Sequence, residues 1–251
     1  MEGSVHLSIQ DGIGTIEFFH PKGNSLPGAL LQQLSDAITT AGESSDISVI
    51  ILRSKGDGAF CAGASFDELI AIEDAETGRA FFSGFGRVIT AMISCPKFII
   101  TRVQGKAVGG GVGIIASSDY AIAGKDASVK LSELSIGIGP FVIAPLVQKK
   151  LGFTAFATLS INAWEWKNAD WAFQNGLYND IASEKAELDE KIDLLAKRLA
   201  SSSPEAMRKI KEVMWGDTES LKTLVDQRAK ITGLLAQSEF TKAFIRSFKR
   251  N

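Results

Sequence analysis

The sequence predicts an α/β fold that carries a helical C-terminal part. Two observations lead to this class. Short apolar strands alternate with helices over the first part of the chain, and from Phe141 onward the pattern is helical only. We therefore expect a core over residues 1–190 and a C-terminal helical part over 191–251. No internal repeat, low-complexity tract or flexible linker interrupts the 251 residues.

The first elements are a β-hairpin and a helix. Apolar and polar residues alternate over 5–10, Asp11-Gly12 is a turn signal, and 13–19 resumes the strand. Pro27 opens a helix that ends before Gly42. Further strands are predicted over 49–53, 98–103, 120–123 and 128–131, and further helices over 66–72, 75–93, 112–118, 142–151, 154–160, 183–200, 204–215, 219–236 and 238–249.

The composition excludes several classes of partner. With 27 basic and 29 acidic residues the formal net charge is −2, so no strong field draws the chain to nucleic acid or to an anionic membrane. No apolar run approaches the roughly 20 residues that span a bilayer. The N-terminus lacks the features of a signal peptide, and two cysteines are too few for a disulfide framework. We expect a cytoplasmic protein without a membrane or nucleic-acid partner.

The residues that are scarce also narrow the chemistry. His6 and His20 are the only histidines, and both lie far from every glycine-rich segment, which disfavours a Ser–His or Cys–His pair and a zinc site. The glycine cluster over 109–113 fits neither the dinucleotide fingerprint nor the phosphate loop. We expect no metal site.

Two loops of very small residues each join a strand to a helix, at 60–64 and at 108–111. Such loops let a ligand approach the main chain, where the first N–H groups of a helix lack partners. Two N–H groups that converge on one oxygen form an oxyanion hole, which stabilises developing negative charge. Either loop taken alone has another explanation, which is that small residues allow a helix to pack closely on a strand. Glu133 follows a predicted strand, and taken alone it is more simply explained as a solvated loop carboxylate or a helix cap than as a catalytic group.

Taken together, ordered segments of the chain resemble the enoyl-CoA hydratase/isomerase (crotonase) superfamily. The segments are 59–64, 103–111, 119–123, 131–133 and 169–177. The pattern is most similar to that of methylglutaconyl-CoA hydratase-like members. The resemblance implies a spiral of repeated ββα units, and C-terminal helices that mediate a homotrimer or hexamer.

The resemblance also implies a site for an acyl-CoA substrate. The main-chain N–H groups of Ala64 and Gly110 would form the oxyanion hole, and Glu133 would be the acid/base. Coenzyme A would enter as part of the substrate, with no separately bound cofactor. Phe81, Phe82 and Phe85 would cover the acyl group, with a place in the hydrophobic core as the alternative. Lys249 or Arg250 could reach the CoA phosphates of a neighbouring subunit, but a solvated basic terminus is the favoured interpretation of these two residues. The other expected substrate and CoA contacts are Lys22, Asn24, Ser25, Leu26, Ala62, Gly63, Gly109 and Pro140.

The chain departs from the usual hydratase pattern at one position. Typical hydratases of the superfamily have two glutamates; Glu133 matches the second, whereas Gly113 stands at the position of the first. The leading prediction is hydration of a branched 2-enoyl-CoA by a single glutamate. A Δ3,Δ2-enoyl-CoA isomerase is the first alternative, since one glutamate can move a proton between C2 and C4. A non-catalytic binding module of the same fold is the second. A dehalogenase would need an aspartate nucleophile, for which there is no convincing candidate.

Overall fold

The computed structural model describes residues 3–248. The strands are β1 (Ser4–Gln10), β2 (Ile13–Phe19), β3 (Val49–Ser54), β4 (Phe98–Val103), β5 (Ala107–Val108), β6 (Tyr120–Gly124), β7 (Ser128–Lys130), β8 (Lys167–Asn168) and β9 (Asp180–Ala182). The helices are α1 (Gly28–Glu43), α2 (Phe66–Leu69), α3 (Ala75–Ser94), α4 (Gly110–Ala116), α5 (Ala144–Ile161), α6 (Ala169–Gln174), α7 (Lys185–Ala200), α8 (Pro204–Trp215), α9 (Thr218–Leu235) and α10 (Glu239–Phe248). A short 3₁₀ helix runs over Glu133–Ile136.

The chain winds as a spiral that feeds two sheets in turn. The main sheet has the order β1-β2-β3-β4-β6-β9, and the small sheet has the order β5-β7-β8. β4 enters the main sheet, β5 enters the small sheet and α4 follows; β6, β7 and α5 repeat this path. β1 and β2 form the predicted antiparallel hairpin, and the remaining neighbours in the main sheet are parallel. The predicted α/β spiral of ββα units with a helical C-terminal part is confirmed.

The main sheet is covered on both faces, which explains its continuous apolar strands. In β3, Ile50 and Leu52 join the large core cluster, whereas Val49 and Ile51 join a second cluster. That second cluster includes Leu188 and Ile192 of α7, so α7 packs against the face opposite the large core. The predicted division at residue 190 falls inside this helix.

Two predicted helices are joined in the structure. The pattern predicts separate helices over 142–151 and 154–160, and α5 spans Ala144–Ile161 with a break at Gly152. Gly152 has φ 78° and ψ 173°, which is a conformation that a residue with a Cβ rarely adopts.

The short elements β5, β8, α6 and β9 have two to six residues and were not predicted. Segments of this length are too short to show the hydrophobic period of a helix or a strand.

The C-terminal helices pack on their own core. Lys211 of α8 forms a buried ion pair with Asp119 at 2.7 Å, and the indole N–H of Trp215 donates to the same carboxylate at 2.7 Å. α9 lies against α3 so closely that a Cβ on Gly233 would lie 2.7 Å from the main-chain nitrogen of Arg79. α10 lies over the 3₁₀ helix, where a Cβ on Gly137 would touch Phe240. None of the described helices combines the length with the apolar composition that a membrane span requires.

Candidate active site

The structure brings the two loops of small residues together. The Val108 N–H donates to the Cys61 carbonyl at 2.9 Å, and the Cys61 N–H donates to the Lys106 carbonyl at 3.2 Å. A Cβ on Gly111 would lie 2.8 Å from the Cβ of Cys61. The loops therefore need small residues because each passes within contact distance of the other, as well as to admit a ligand. Burial raises the pKa of the Cys61 thiol to about 12, which leaves it unreactive.

Gly109 needs to be glycine for two reasons. Its φ is 53°, in the left-handed region, and a Cβ there would lie 2.8 Å from Oε1 of Glu133. Its own N–H donates to the Lys130 carbonyl at 2.9 Å. The Glu133 carboxyl is thus in contact with the main chain immediately before Gly110.

The amides of Ala64 and Gly110 both lie in residues that line one cavity. Gly110 begins α4, so its N–H has no partner within the helix. Among residues 3–248, neither amide donates a hydrogen bond to another group of the chain. The ring of Phe85 packs on Gly110, where a Cβ would lie 2.4 Å from it. Two unpartnered donors therefore border the same space as Glu133.

Glu133 stands at the start of the 3₁₀ helix and borders this cavity. Its carbonyl accepts from the Ile138 N–H at 3.1 Å, and Gly137 ends the turn in the left-handed conformation. Oε2 is shielded from solvent and has no hydrogen-bond partner within the described residues. Burial raises the pKa of the Glu133 carboxyl to about 7, because the charged form loses hydration. A carboxyl with such a pKa can both accept and donate a proton near neutral pH.

The cavity has a volume of about 320 Å³ and is mostly apolar. Phe81, Phe82 and Phe85 of α3 line it, and their contact with an acyl group stays a prediction. Of the described residues that line it, none is Lys, Arg or His. Further lining residues are Ala62, Gly63, Phe66, Leu69, Gly109, Pro140, Ile143, Thr232 and Phe244.

No side chain fits at the position of the missing glutamate. Gly113 lies one turn into α4, where its N–H donates to the Gly109 carbonyl at 3.2 Å. A Cβ on Gly113 would lie 2.3 Å from Cγ2 of Ile143. Ile143 thus occupies the space that a side chain at residue 113 would enter.

The expected CoA contacts divide into two groups. Ala62, Gly63, Ala64, Gly109, Gly110 and Pro140 line the cavity, whereas Lys22, Asn24, Ser25 and Leu26 do not. The Lys22 ammonium is exposed and forms an ion pair with Asp67. Asn24, Ser25 and Leu26 are only 4%, 8% and 0% exposed, so their side chains are inside the protein. A contact between CoA and these three residues stays a prediction, and it would have to be made by their main-chain atoms. Lys249 and Arg250 lie outside the described residues.

The family follows from the whole chain. The sequence model of the enoyl-CoA hydratase/isomerase family matches residues 8–248. This chain belongs to the enoyl-CoA hydratase/isomerase family. The match covers both sheets, both loops of the cavity and the C-terminal helices.

Relatives of this family member include named enzymes and solved structures. A probable enoyl-CoA hydratase of Bacillus subtilis is 27% identical over 98% of this chain and 95% of its own length. A carnitinyl-CoA dehydratase of Salmonella typhi is 28% identical over 87% of this chain and 83% of its own length. The crystal structure of an enoyl-CoA hydratase from Bacillus halodurans superposes with a TM-score of 0.90 at 22% identity, covering 97% and 99% of the two chains. The chain is an enzyme of this family, which includes hydratases and isomerases, and the non-catalytic alternative is not supported.

Sequence reasoning missed several residues of the cavity in this family member. Thr232 and Phe244 line it from α9 and α10, about 100 residues beyond Glu133 along the chain. Ile143 was likewise not identified. No local pattern marks these positions, although the amphipathic pattern of α10 indicated a helix with an apolar face to cover.

Proposed function

We propose that this enzyme adds water across the double bond of a 2-enoyl-CoA thioester. The observation that carries the proposal is the Glu133 carboxyl, which lies beside Gly109 with one oxygen shielded and unpartnered among the described residues. The Ala64 and Gly110 amides border the same cavity and are the donors for the thioester oxygen. CoA enters as part of the substrate, and no separate cofactor takes part.

The proposed reaction uses one carboxyl twice. Glu133 in its charged form accepts a proton from water while the water oxygen bonds to C3. The π electrons of the C2–C3 double bond then form a C1–C2 double bond, and the π electrons of the thioester carbonyl move onto its oxygen. The Ala64 and Gly110 amides stabilise that enolate oxygen. The enolate collapses as Glu133 returns a proton to C2, which restores the charged carboxylate. A pKa of about 7 supports both steps, because neither protonation state is strongly disfavoured.

The lining of the cavity supports an apolar acyl group. Aromatic side chains of α3 border it, and within residues 3–248 no cationic side chain does. A carboxylate at the far end of the acyl group would lose hydration without gaining a charged partner from the described chain. An apolar 2-enoyl group therefore fits this lining better than a glutaconyl group, and the branching of the acyl chain stays a prediction from the sequence.

The second candidate reaction moves the double bond of a 3-enoyl-CoA from the C3–C4 position to the C2–C3 position. It is favoured by the contact between Gly113 and Ile143, which leaves no room for the second carboxylate that would orient water. Here Glu133 removes a proton from C2 of a 3-enoyl-CoA and returns one to C4. Both reactions share the enolate and its oxyanion hole.

A small substrate panel separates the two reactions. Purified protein is incubated in ¹⁸O-labelled water with crotonyl-CoA, 3-methylcrotonyl-CoA and 3-hexenoyl-CoA, and products are analysed by mass spectrometry. Hydration incorporates ¹⁸O and consumes the conjugated thioester, whereas isomerisation creates the conjugated thioester without label. Glu133→Gln is the control, since it cannot accept the proton and should lose about 10²–10⁴-fold in rate. Undiminished turnover by a folded Glu133→Gln protein would contradict both mechanisms.

We also propose a homotrimer, or a hexamer built from two trimers. The support is a set of exposed apolar side chains on the C-terminal helices, which contact with another subunit would cover. They are Ile210, Val213 and Met214 of α8, Leu234 of α9 and Phe240 of α10. Light scattering should give a mass that is a multiple of three chains, and a stable monomer at micromolar concentration would contradict the proposal.

A further inference from the structure

Asn24 has an unusual backbone conformation for a buried residue that is not glycine. It is 4% exposed and its φ is 55°, in the left-handed region. Asparagine tolerates this conformation better than most residues with a Cβ, because its short polar side chain can bond to nearby main chain. The backbone conformation at this position therefore favours asparagine or glycine. The hydrogen bonds of the side chain show why asparagine is the residue present.

The Asn24 amide ties together two stretches of main chain. Its Nδ2 donates to the carbonyls of Lys55 at 3.1 Å and Ala59 at 2.9 Å, and its Oδ1 accepts from the His20 N–H at 2.9 Å. Lys55 and Ala59 stand at the beginning of the loop that leads from β3 to Ala64. Glycine at residue 24 could adopt the φ but could form none of these three bonds.

The residues beside Asn24 hold the other end of the same loop. The Ala62 N–H donates to the Gly23 carbonyl at 3.1 Å, and the Leu26 N–H donates to the Gly63 carbonyl at 2.8 Å. The loop over 55–64 is thus bonded to residues 23–26 at both of its ends. Its last residue carries the Ala64 amide, one of the two donors proposed for the thioester oxygen.

We infer that Asn24 is a positioning residue that holds the loop over 55–64 so that the Ala64 N–H points at the thioester oxygen. The inference rests on the proposed function and gives this buried side chain a role in the rate rather than in CoA contact. Without the Nδ2 donor, the Lys55 carbonyl loses its side-chain partner, and the Ala59 carbonyl keeps only the Gln104 amide at 3.4 Å. The partly buried loop can then relax toward water. A displacement of about 1 Å at a reacting group can lower the rate by about 10²-fold.

Two substitutions separate the backbone role of Asn24 from its bonding role. Asn24→Gly permits the left-handed conformation and removes the bridge. Asn24→Asp keeps the shape and the bond from the His20 N–H, but it places an acceptor opposite the Lys55 and Ala59 carbonyls. Matched controls are Asn168→Gly and Asn168→Asp, because Asn168 also bonds to main chain, accepting from the Trp171 N–H at 2.9 Å, at the start of α6.

The experiment measures kcat and KM on the best enoyl-CoA of the panel, together with the enolate absorbance of bound acetoacetyl-CoA. Both Asn24 variants should lose about 10²-fold in kcat, with KM within about threefold of the unmodified enzyme. Their enolate signal should weaken, because the charge on the thioester oxygen loses a donor, whereas the Asn168 variants should match the unmodified enzyme.

Three outcomes would overturn the inference or its foundation. A folded Asn24 variant that keeps its kcat and its enolate signal overturns the positioning role, and so do Asn168 variants that lose as much. Circular dichroism checks the fold, and if Asn24→Gly does not fold, Asn24→Asp decides the question alone. An unmodified enzyme without turnover or enolate signal on any substrate overturns the proposed function itself, which distinguishes the two failures.

Discussion

Ile143 lies directly against Gly113, with its Cγ2 only 2.3 Å from where a Cβ on that glycine would be. The loss of the usual first glutamate is therefore matched by a large side chain at the start of α5 that fills the space. A carboxylate cannot be restored at residue 113 without also removing Ile143.

The first prediction follows from that contact. Gly113→Glu alone should fold poorly, since forcing extra atoms into a packed core costs about 1–3 kcal/mol or more. Gly113→Glu combined with Ile143→Ala should recover soluble protein and raise hydration of crotonyl-CoA relative to double-bond migration, measured by ¹⁸O incorporation. Ile143→Ala alone is the control. A double variant that folds and shows an unchanged product ratio would mean that residue 113 does not decide the reaction.

The second prediction concerns the Gly110 amide. Gly110→Pro removes the N–H at the first position of α4, where proline is otherwise tolerated. Any side chain there meets the ring of Phe85, so both Gly110→Pro and Gly110→Ala are made with Phe85→Ala. Only the proline variant lacks the donor, and its kcat should be about 10²–10³-fold below that of the alanine variant. Equal kcat values for the two would remove Gly110 from the oxyanion hole.

The sequence predicted the fold well where many residues repeat a pattern. The hairpin over 4–19, the buried strand β3 and the long helices α3 and α7 each have enough residues to show a period. The two-residue strands β5 and β8 do not, yet β5 carries the main chain that bonds to Cys61 and brings the two loops together. Short elements of this kind are defined by their partners in space.

The same distinction applies to the site. Ala64, Gly110 and Glu133 were chosen from motif resemblance, and the structure places all three around one cavity. Asn24 was chosen as a CoA contact by the same route, but its side chain is buried and bonds to main chain. A motif match indicates that a certain residue type is required at a position. It does not tell whether the side chain contacts the ligand or holds the main chain in place.

The third prediction tests how α8 is attached. Lys211→Met leaves the buried Asp119 carboxylate without its ammonium partner, and such a loss costs about 3–5 kcal/mol of unfolding free energy. Lys209→Met is the matched control on the same helix, because Lys209 pairs with Glu212 at the surface, where solvent screens the interaction and its loss has little effect on stability. Urea unfolding followed by circular dichroism measures both. Similar midpoints for the two variants would contradict the assigned role of the buried pair.

The fourth prediction is a pH profile. If Glu133 acts first as a base, kcat/KM should rise about tenfold per pH unit on the acidic side and level off above its pKa of about 7. Rates are measured between about pH 5 and about pH 9 with buffers of constant ionic strength. Glu133→Gln should show no such limb in its residual rate. A profile of the unmodified enzyme that is flat through about pH 7 would mean that another group accepts the proton.

The fifth prediction is that Glu133 lowers the stability of the enzyme as pH rises. The carboxyl has a pKa of about 7 in the folded chain against the ordinary value of 4.5, so the folded state binds more protons between these values. The unfolding free energy is therefore unaffected below about pH 4.5 and falls through the window up to about pH 7, by on the order of 3 kcal/mol in total.

The Glu133→Gln variant tests this prediction, because its side chain is neutral at every pH and lacks this loss. Its unfolding free energy should exceed that of the unmodified enzyme at about pH 8 and approach it at about pH 5. Thermal unfolding at both pH values measures the difference. Glu187→Gln is the control for an exposed carboxylate whose pKa is lowered instead, from 4.5 to about 2. Its titration window lies below both pH values of the experiment, so the stability difference that it causes should be the same at about pH 5 and at about pH 8. A stability difference for Glu133→Gln that does not grow with pH would show that the carboxyl is already charged in the folded protein, and its capacity to donate a proton near neutral pH would be lost with it.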